Sequence, residues 1–207
     1  MAATADGGKA ADAASDAAAH GAAASAPPVV PEAGWEAVQP LRIEGGRGSF
    51  VSGDPEGERL RVAYFRRAGD GALVGRAWFG AGAEGPPGHV HGGATAAVLD
   101  EAMGAAAWMD GWVVVAVHLE VDFARMLPLG TDAWMEARVE RVDGRKVITR
   151  GRLHDAAGTD FATATAVFVT LDTDRFHDLL GRVARAMGVE LDELLAEMRR
   201  RGFRGPR

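Results

Sequence analysis

One stretch of helical character, residues 94–108, stands among six alternating stretches, and the chain runs into it through Gly88-His89-Val90-His91-Gly92-Gly93. Pro86, Pro87 and Gly88 resist helix and end whatever precedes them. Residues 94–108 are mostly good helix formers, rich in Ala, so they predict one long helix that other elements must cover. The start of a helix presents unpaired backbone N–H groups and a partial positive charge. Glycines there let a ligand come close to the backbone. Together these are the parts of an oxyanion site for an acyl group. Asp100 and Glu101 lie inside the same apolar helix, and carboxylates rarely bury unless something uses or pairs them.

Spacing sharpens this reading. Asp100 follows His91 by nine residues, which on a helix is about 13 Å of rise and roughly half a turn out of phase. One helix therefore does not bring the Gly92 N–H and the Asp100 carboxylate onto the same small carbonyl. Two copies packed antiparallel across a two-fold axis do so, which points to a symmetric dimer with two shared sites.

The rest of the chain predicts what covers the helix. Residues 59–67 alternate, Asp70-Gly71 is a hairpin signal, and 72–79 continue as the partner strand. After the helix, Asp110-Gly111 is a stop, and 112–125 form a Val-rich strand with Val117, Leu119, Val121 and Phe123 at period two. Leu127-Pro128-Leu129-Gly130 turns the chain into an alternating strand over 133–140. Asp143-Gly144 and Ala157-Gly158 mark further turns between strands at 146–154 and 161–171. Two strands, one helix and four strands imply an α+β architecture, an antiparallel sheet wrapped around a long central α-helix. Residues 174–187 and 191–201 read as extra C-terminal helices, the first with an apolar stripe of Phe176, Leu179, Leu180 and Val183. The organisation expected is a disordered Ala/Gly-rich tail over 1–33, a domain over 34–171, in which Trp35 packs and 52–55 turn, and a helical extension over 172–207.

Composition excludes several classes. A net charge of −6 over 207 residues argues against a general nucleic-acid binder. With no cysteine there is no disulfide framework, thiolate zinc site or cysteine nucleophile. No apolar run approaches roughly 18 residues, so no membrane insertion is expected. Asp6, Lys9, Asp12 and Asp16 interrupt the start, which does not read as a secretory signal, and a cytoplasmic location is the expectation. His89 and His91 have no third ligand at suitable local spacing, so no metal is expected. Ser and Thr residues lack a nucleophile-elbow context, which speaks against a serine hydrolase.

The strand order with Gly85-Pro86-Pro87-Gly88-His89-Val90-His91-Gly92-Gly93 before the helix resembles the hotdog-fold acyl-CoA thioesterases, of the PaaI-like and THEM-type branch. Further segments share in it: Ser49-Phe50-Val51-Ser52-Gly53-Asp54, Asp100-Glu101-Ala102-Met103-Gly104, His118-Leu119-Glu120-Val121-Asp122-Phe123-Ala124-Arg125, Pro128-Leu129-Gly130-Thr131 and Val142-Asp143-Gly144-Arg145-Lys146. The resemblance covers about 48–171 and implies a homodimer or dimer of dimers with the active site between the two helices. It maps the catalytic carboxylate onto Asp100 and the His-Gly-Gly motif onto His91, Gly92 and Gly93, with the Gly92 amide as carbonyl polariser. Where some relatives place a Thr sixteen residues past the Asp, this chain has Ala116, and where many have Pro after the Arg of the long strand it has Met126.

The implied reaction hydrolyses an acyl-CoA, or an acyl-carrier-protein thioester, without a cofactor. Asp100 acts as general base or nucleophile, and Gly92 with the helix dipole forms the oxyanion site. Gly93 and Glu101 are candidates for substrate contact; Glu101, about 100° around the helix from Asp100, also reads as a structural or rim contact and as the fallback carboxylate. Arg125, Arg145 and Lys146 are candidates for the coenzyme A phosphates, and Met103, Trp108, Met109 and Trp112 for an acyl tunnel or plain core. A hydratase on the same fold and a non-catalytic acyl-CoA-binding module are the rivals. The His-Gly-Gly motif argues against the first and a carboxylate at Asp100 against the second.

Overall fold

The computed structural model describes residues 30–38, 49–54, 56–200, 203 and 204. The tail expected over 1–33 lies outside these residues up to position 29. The chain orders as β1 (Trp35–Val38), β2 (Leu60–Arg67), β3 (Leu73–Phe79), α1 (Gly92–Met109), β4 (Val114–Phe123), β5 (Asp132–Asp143), β6 (Lys146–His154), β7 (Asp160–Thr170), α2 (Thr173–Met187) and α3 (Leu191–Arg200). The strands form one antiparallel sheet in the order β1-β2-β3-β5-β6-β7-β4. All six expected strands and the long helix are present. β1 is an addition: WEAV is too short and too acidic to alternate visibly, yet it pairs with the end of β2.

Alternation decides which sheet face takes the helix. Leu73, Ala77, Met135, Val147, Leu153, Ala162 and Ala166 point inward and are at most 1% exposed, together with Val98, Leu99, Ala102 and Met103 of α1. Small residues let helix and strands approach closely: a Cβ on Gly151 would lie 3.0 Å from Met103 Cγ. The opposite face is polar, with Arg67, Glu136, Arg152 and Asp160 in a chain of ion pairs. Trp35 plates that face against Phe65 and Trp134, which fastens β1 over one sheet edge.

The inward face holds one misfit. Thr149 on β6 is fully buried and its Oγ1 has no hydrogen-bond partner among the described residues. A buried unsatisfied hydroxyl costs about 1–3 kcal/mol. Thr149→Val keeps the branched shape and removes the hydroxyl. It is expected to raise Tm by about 2–4 °C per kcal/mol recovered, read by calorimetry.

The C-terminal helices dock at the far end of α1. Phe176 and Leu180 bury with Val113 and Leu171, Trp108 meets Phe203 edge-on, and the Arg204 N–H donates to Gly111 O at 2.8 Å. Trp108 and Trp112 therefore pack against this extension rather than standing open. Gly188, at φ 68°, ends α2 in the left-handed conformation that glycine adopts without strain.

Candidate active site

A doubled-back loop builds the start of α1. After β3 the chain makes a short 3-10 turn at Ala81–Ala83, then returns so that the His91 N–H donates to Ala83 O at 2.8 Å and the Val90 N–H to Leu127 O. Glu84 Oε1 accepts from the Gly88 N–H at 2.8 Å. His91 is the N-cap: its Nδ1 accepts from the Gly93 N–H at 2.9 Å. In the neutral ring that leaves the proton on Nε2, so the exposed imidazole carries an outward donor. His91 thus orients the loop. The Gly92 N–H has no acceptor among the described residues and lies at the positive end of the helix.

Beside it is a cleft of about 290 Å³ lined by residues including Gly92, Thr95, Phe123 and Met126. A Cβ on Gly92 would sit 3.4 Å from Phe123 Cζ, so β4 forms one wall at the helix start. His89 closes the rim with Nδ1 at 2.9 Å from Pro87 O. No group of three or more metal-ligating side chains occurs among the described residues.

Gly85 was not singled out by motif reading, yet the N-cap depends on it. A Cβ there would fall 2.7 Å from His91 Cα, inside any real contact distance, and that atom is backbone. Gly85→Ala must therefore displace His91. Losing the His91 N-cap costs about 1 kcal/mol. A fall in Tm of about 2–4 °C is expected, read by thermal melts.

The two carboxylates of α1 meet different surroundings. Helical spacing puts Gly92, Ala96, Asp100 and Gly104 on one side, toward β4 and β7, where Gly92 faces Phe123 and Gly104 faces Phe168. Asp100 is half-buried there, and no hydrogen bond or ion pair reaches its carboxyl from the described residues. Burial pushes its pKa above the ordinary carboxylate value. Glu101, about 100° around the helix, points toward β2. Its oxygens accept from Tyr64 Oη at 2.9 Å and from Ser49 Oγ.

The candidate phosphate-binding cations do not gather in one chain. Arg125 is committed to the β6–β7 turn, donating to Asp155, Thr159 O and Asp160 O, with its guanidinium over Phe161. Arg145 donates to Thr170 O at the opposite end of β7, beside exposed Lys146. Nine strand residues, about 30 Å, separate the two ends. Ala116 precedes a bulge: Ala116 pairs with Phe168, His118 with Val167, and Val117 has no β7 partner. That interruption breaks the period-two reading of Val117 with Leu119, Val121 and Phe123.

Residues 87–162 match the thioesterase superfamily. A 90-residue stretch is 39% identical to acyl-coenzyme A thioesterase THEM4 of Xenopus laevis, covering 42% of this chain and 40% of that protein. Over 127 residues the chain is 29% identical to THEM4 of Rattus norvegicus, covering 61% of this chain and 55% of the relative. The chain thus aligns with about half the length of these curated relatives. A solved thioesterase superfamily protein superposes with a TM-score of 0.55 at 25% identity, covering 76% of this chain and 74% of its own. With its antiparallel sheet around α1, the chain has the hotdog fold, and the matched segment at the start of that helix is similar to the thioesterase superfamily and to its THEM-type members.

Proposed function

We propose that this protein hydrolyses acyl-CoA thioesters to free acid and CoA, at a site shared between two copies of the chain. The observation that carries this reading is the pair of unsatisfied groups on α1: the Gly92 N–H at its start and the Asp100 carboxyl two turns on. They face the same side of the sheet but stand about 12 Å apart along the helix. A second α1 running antiparallel brings one chain's Asp100 to the other chain's Gly92.

The open edge of the sheet supports that partner. β4 is a ten-residue edge strand, and Val115, Val117, Leu119 and Phe123 on it are 36–59% exposed. A long apolar edge invites pairing, whereas the other edge is closed by the short, Trp35-anchored β1. Antiparallel pairing of two β4 strands joins the sheets. It also places Arg145 and Lys146 of one chain at the same end as Arg125 of its partner, where the phosphates of coenzyme A would lie.

In this reading the thioester oxygen accepts the Gly92 N–H, with the helix dipole behind it and His91 holding the loop. Asp100 takes a proton from water as the water oxygen attacks the carbonyl carbon. The tetrahedral oxyanion collapses, the C–S bond breaks, and the proton passes to the departing thiolate. Direct attack by Asp100 expels the CoA thiolate and gives an anhydride that water then opens. Single turnover in ¹⁸O water identifies the second route where water opens the anhydride at the Asp100 carbonyl, because label then enters the Asp100 carboxyl. Ala116 supplies no hydroxyl for the water, and in this reading Asp100 is the group that engages it.

The test is CoA release, followed with a thiol reagent, across short, long and aromatic acyl-CoAs. Turnover supports the reading. Acyl-CoA binding without turnover replaces it with a ligand-binding module, and turnover only with acyl-carrier protein moves the substrate to that carrier.

A further inference from the structure

Glu101 joins three parts of the chain that are far apart in sequence. Tyr64, 37 residues before it on β2, holds Oε1, and Ser49, 52 residues before it, holds Oε2. Both donors are firmly seated. Tyr64 is 6% exposed, and Ser49 precedes a turn closed by the Gly53 N–H on Ser49 O and anchored by Val51, 5% exposed. Burial, then the charge of Glu101, its hydrogen bond and the charge of Asp100 push the Tyr64 phenol well up, so it remains a donor.

The helix needs such a hold. Leu99 and Met103 pack over Gly151, but the following turn of α1 buries only short side chains, Ala105, Ala106 and Ala107 at 0–4% exposure, which interlock poorly against rotation. A carboxylate about 6 Å from the axis moves about 1 Å for a 10° roll. That is the scale at which catalytic geometry fails. The N-cap fixes one end of the helix. The two hydroxyls on Glu101 grip its middle, one residue from Asp100 and on the other side, leaving the oxygens of Asp100 free.

We propose that Tyr64 and Ser49 are positioning residues for thioester hydrolysis: acting through Glu101, their hydroxyls set the roll of α1 and so aim Asp100 into the cleft shared with the partner copy. This rests on the reading of Asp100 given above. It also assigns Glu101 a holding task in place of substrate contact.

Tyr64→Phe and Ser49→Ala each delete one hydroxyl and keep the shape. In the full chain, with an acyl-CoA that wild type hydrolyses, each is expected to lower kcat about tenfold, with KM changed less than about twofold. Glu101→Gln, which keeps an acceptor, is expected to retain more turnover than Glu101→Ala. The Asp100 carboxyl midpoint, titrated by ¹³C NMR without substrate, is expected to shift in the double variant, a change that general loosening far from Asp100 would not produce. A double variant with wild-type kcat, or with a wild-type Asp100 midpoint, overturns the proposal. If Asp100→Asn retains turnover, the reading of Asp100 fails and the proposal with it. If Asp100→Asn is inactive while the double variant is unimpaired, the positioning proposal alone fails.

Discussion

Asp100→Asn is expected to lose about 10²–10⁴-fold in kcat and at the same time to raise thermal stability at neutral pH. Both effects follow from one observation, a half-buried carboxyl with no partner among the described residues. In the proposed mechanism Asp100 takes the proton of water, so the variant loses the base contribution. The stability effect follows from linkage. Burial raises the folded pKa above the unfolded value near 3.9. A group raised in this way gives its full stability below the unfolded pKa, where both states hold the proton. It loses that stability as pH rises through the folded pKa. Asn has no proton to lose. The Tm difference between variant and wild type is therefore expected to be positive at pH 7 and to vanish below about pH 4. Thermal melts across pH check it. A variant less stable than wild type at pH 7 would mean that Asp100 is a structural carboxylate with a partner in the assembly. Activity should mirror the same titration, with an acid limb above the ordinary aspartate range that disappears in the variant.

Sequence pattern and structure agree where the physics is local. The helix predicted over 94–108 runs Gly92–Met109, and the hairpin at Asp143-Gly144 falls between β5 and β6, because capping and turn chemistry are short-range. The motif also placed the amide and the carboxylate on one helix, and their spacing along it pointed to a second copy. Pattern could not show what covers a strand. The apolar alternation of β4 marks a strand but not its cover, and most of it is exposed on the sheet edge. The bulge at Val117 left no mark in residue type. Glu101 could be read as a structural or rim carboxylate, but its hydroxyl partners, far away in sequence, could not be named from pattern. Arg125 had the charge to bind phosphate, but the turn residues that engage it follow some thirty positions later. The signal for Gly85 was present in the glycine itself, without the fold-back that brings His91 over it.

Two inactive variants are expected to restore activity when mixed, if the site is shared. Gly92→Pro deletes the proposed oxyanion donor with little other change. Proline is well accepted at the first position of a helix, whose N–H has no partner inside the helix. His91, at φ −62° and ψ 132°, already has the extended conformation that a residue before proline prefers. The Phe123 ring, 3.4 Å from a Cβ at this position, needs at most a small adjustment. Gly92→Pro and Asp100→Asn are each expected to be nearly inactive alone. After co-refolding in equal amounts, about half of the dimers pair one of each. In a mixed dimer one site carries both lesions and the other neither. Recovery of about one quarter of wild-type activity is therefore expected. A site built within one chain would give no recovery, because every site would keep its own lesion. A charge on the open edge, Leu119→Lys, should abolish both activity and complementation, by separating the β4 strands while leaving each fold intact. Sedimentation of that variant distinguishes the two ways of losing activity. A monomer with a native melt means the interface was needed. An inactive dimer would show instead that β4 contributes to the cleft directly, as the position of Phe123 at the start of α1 already does.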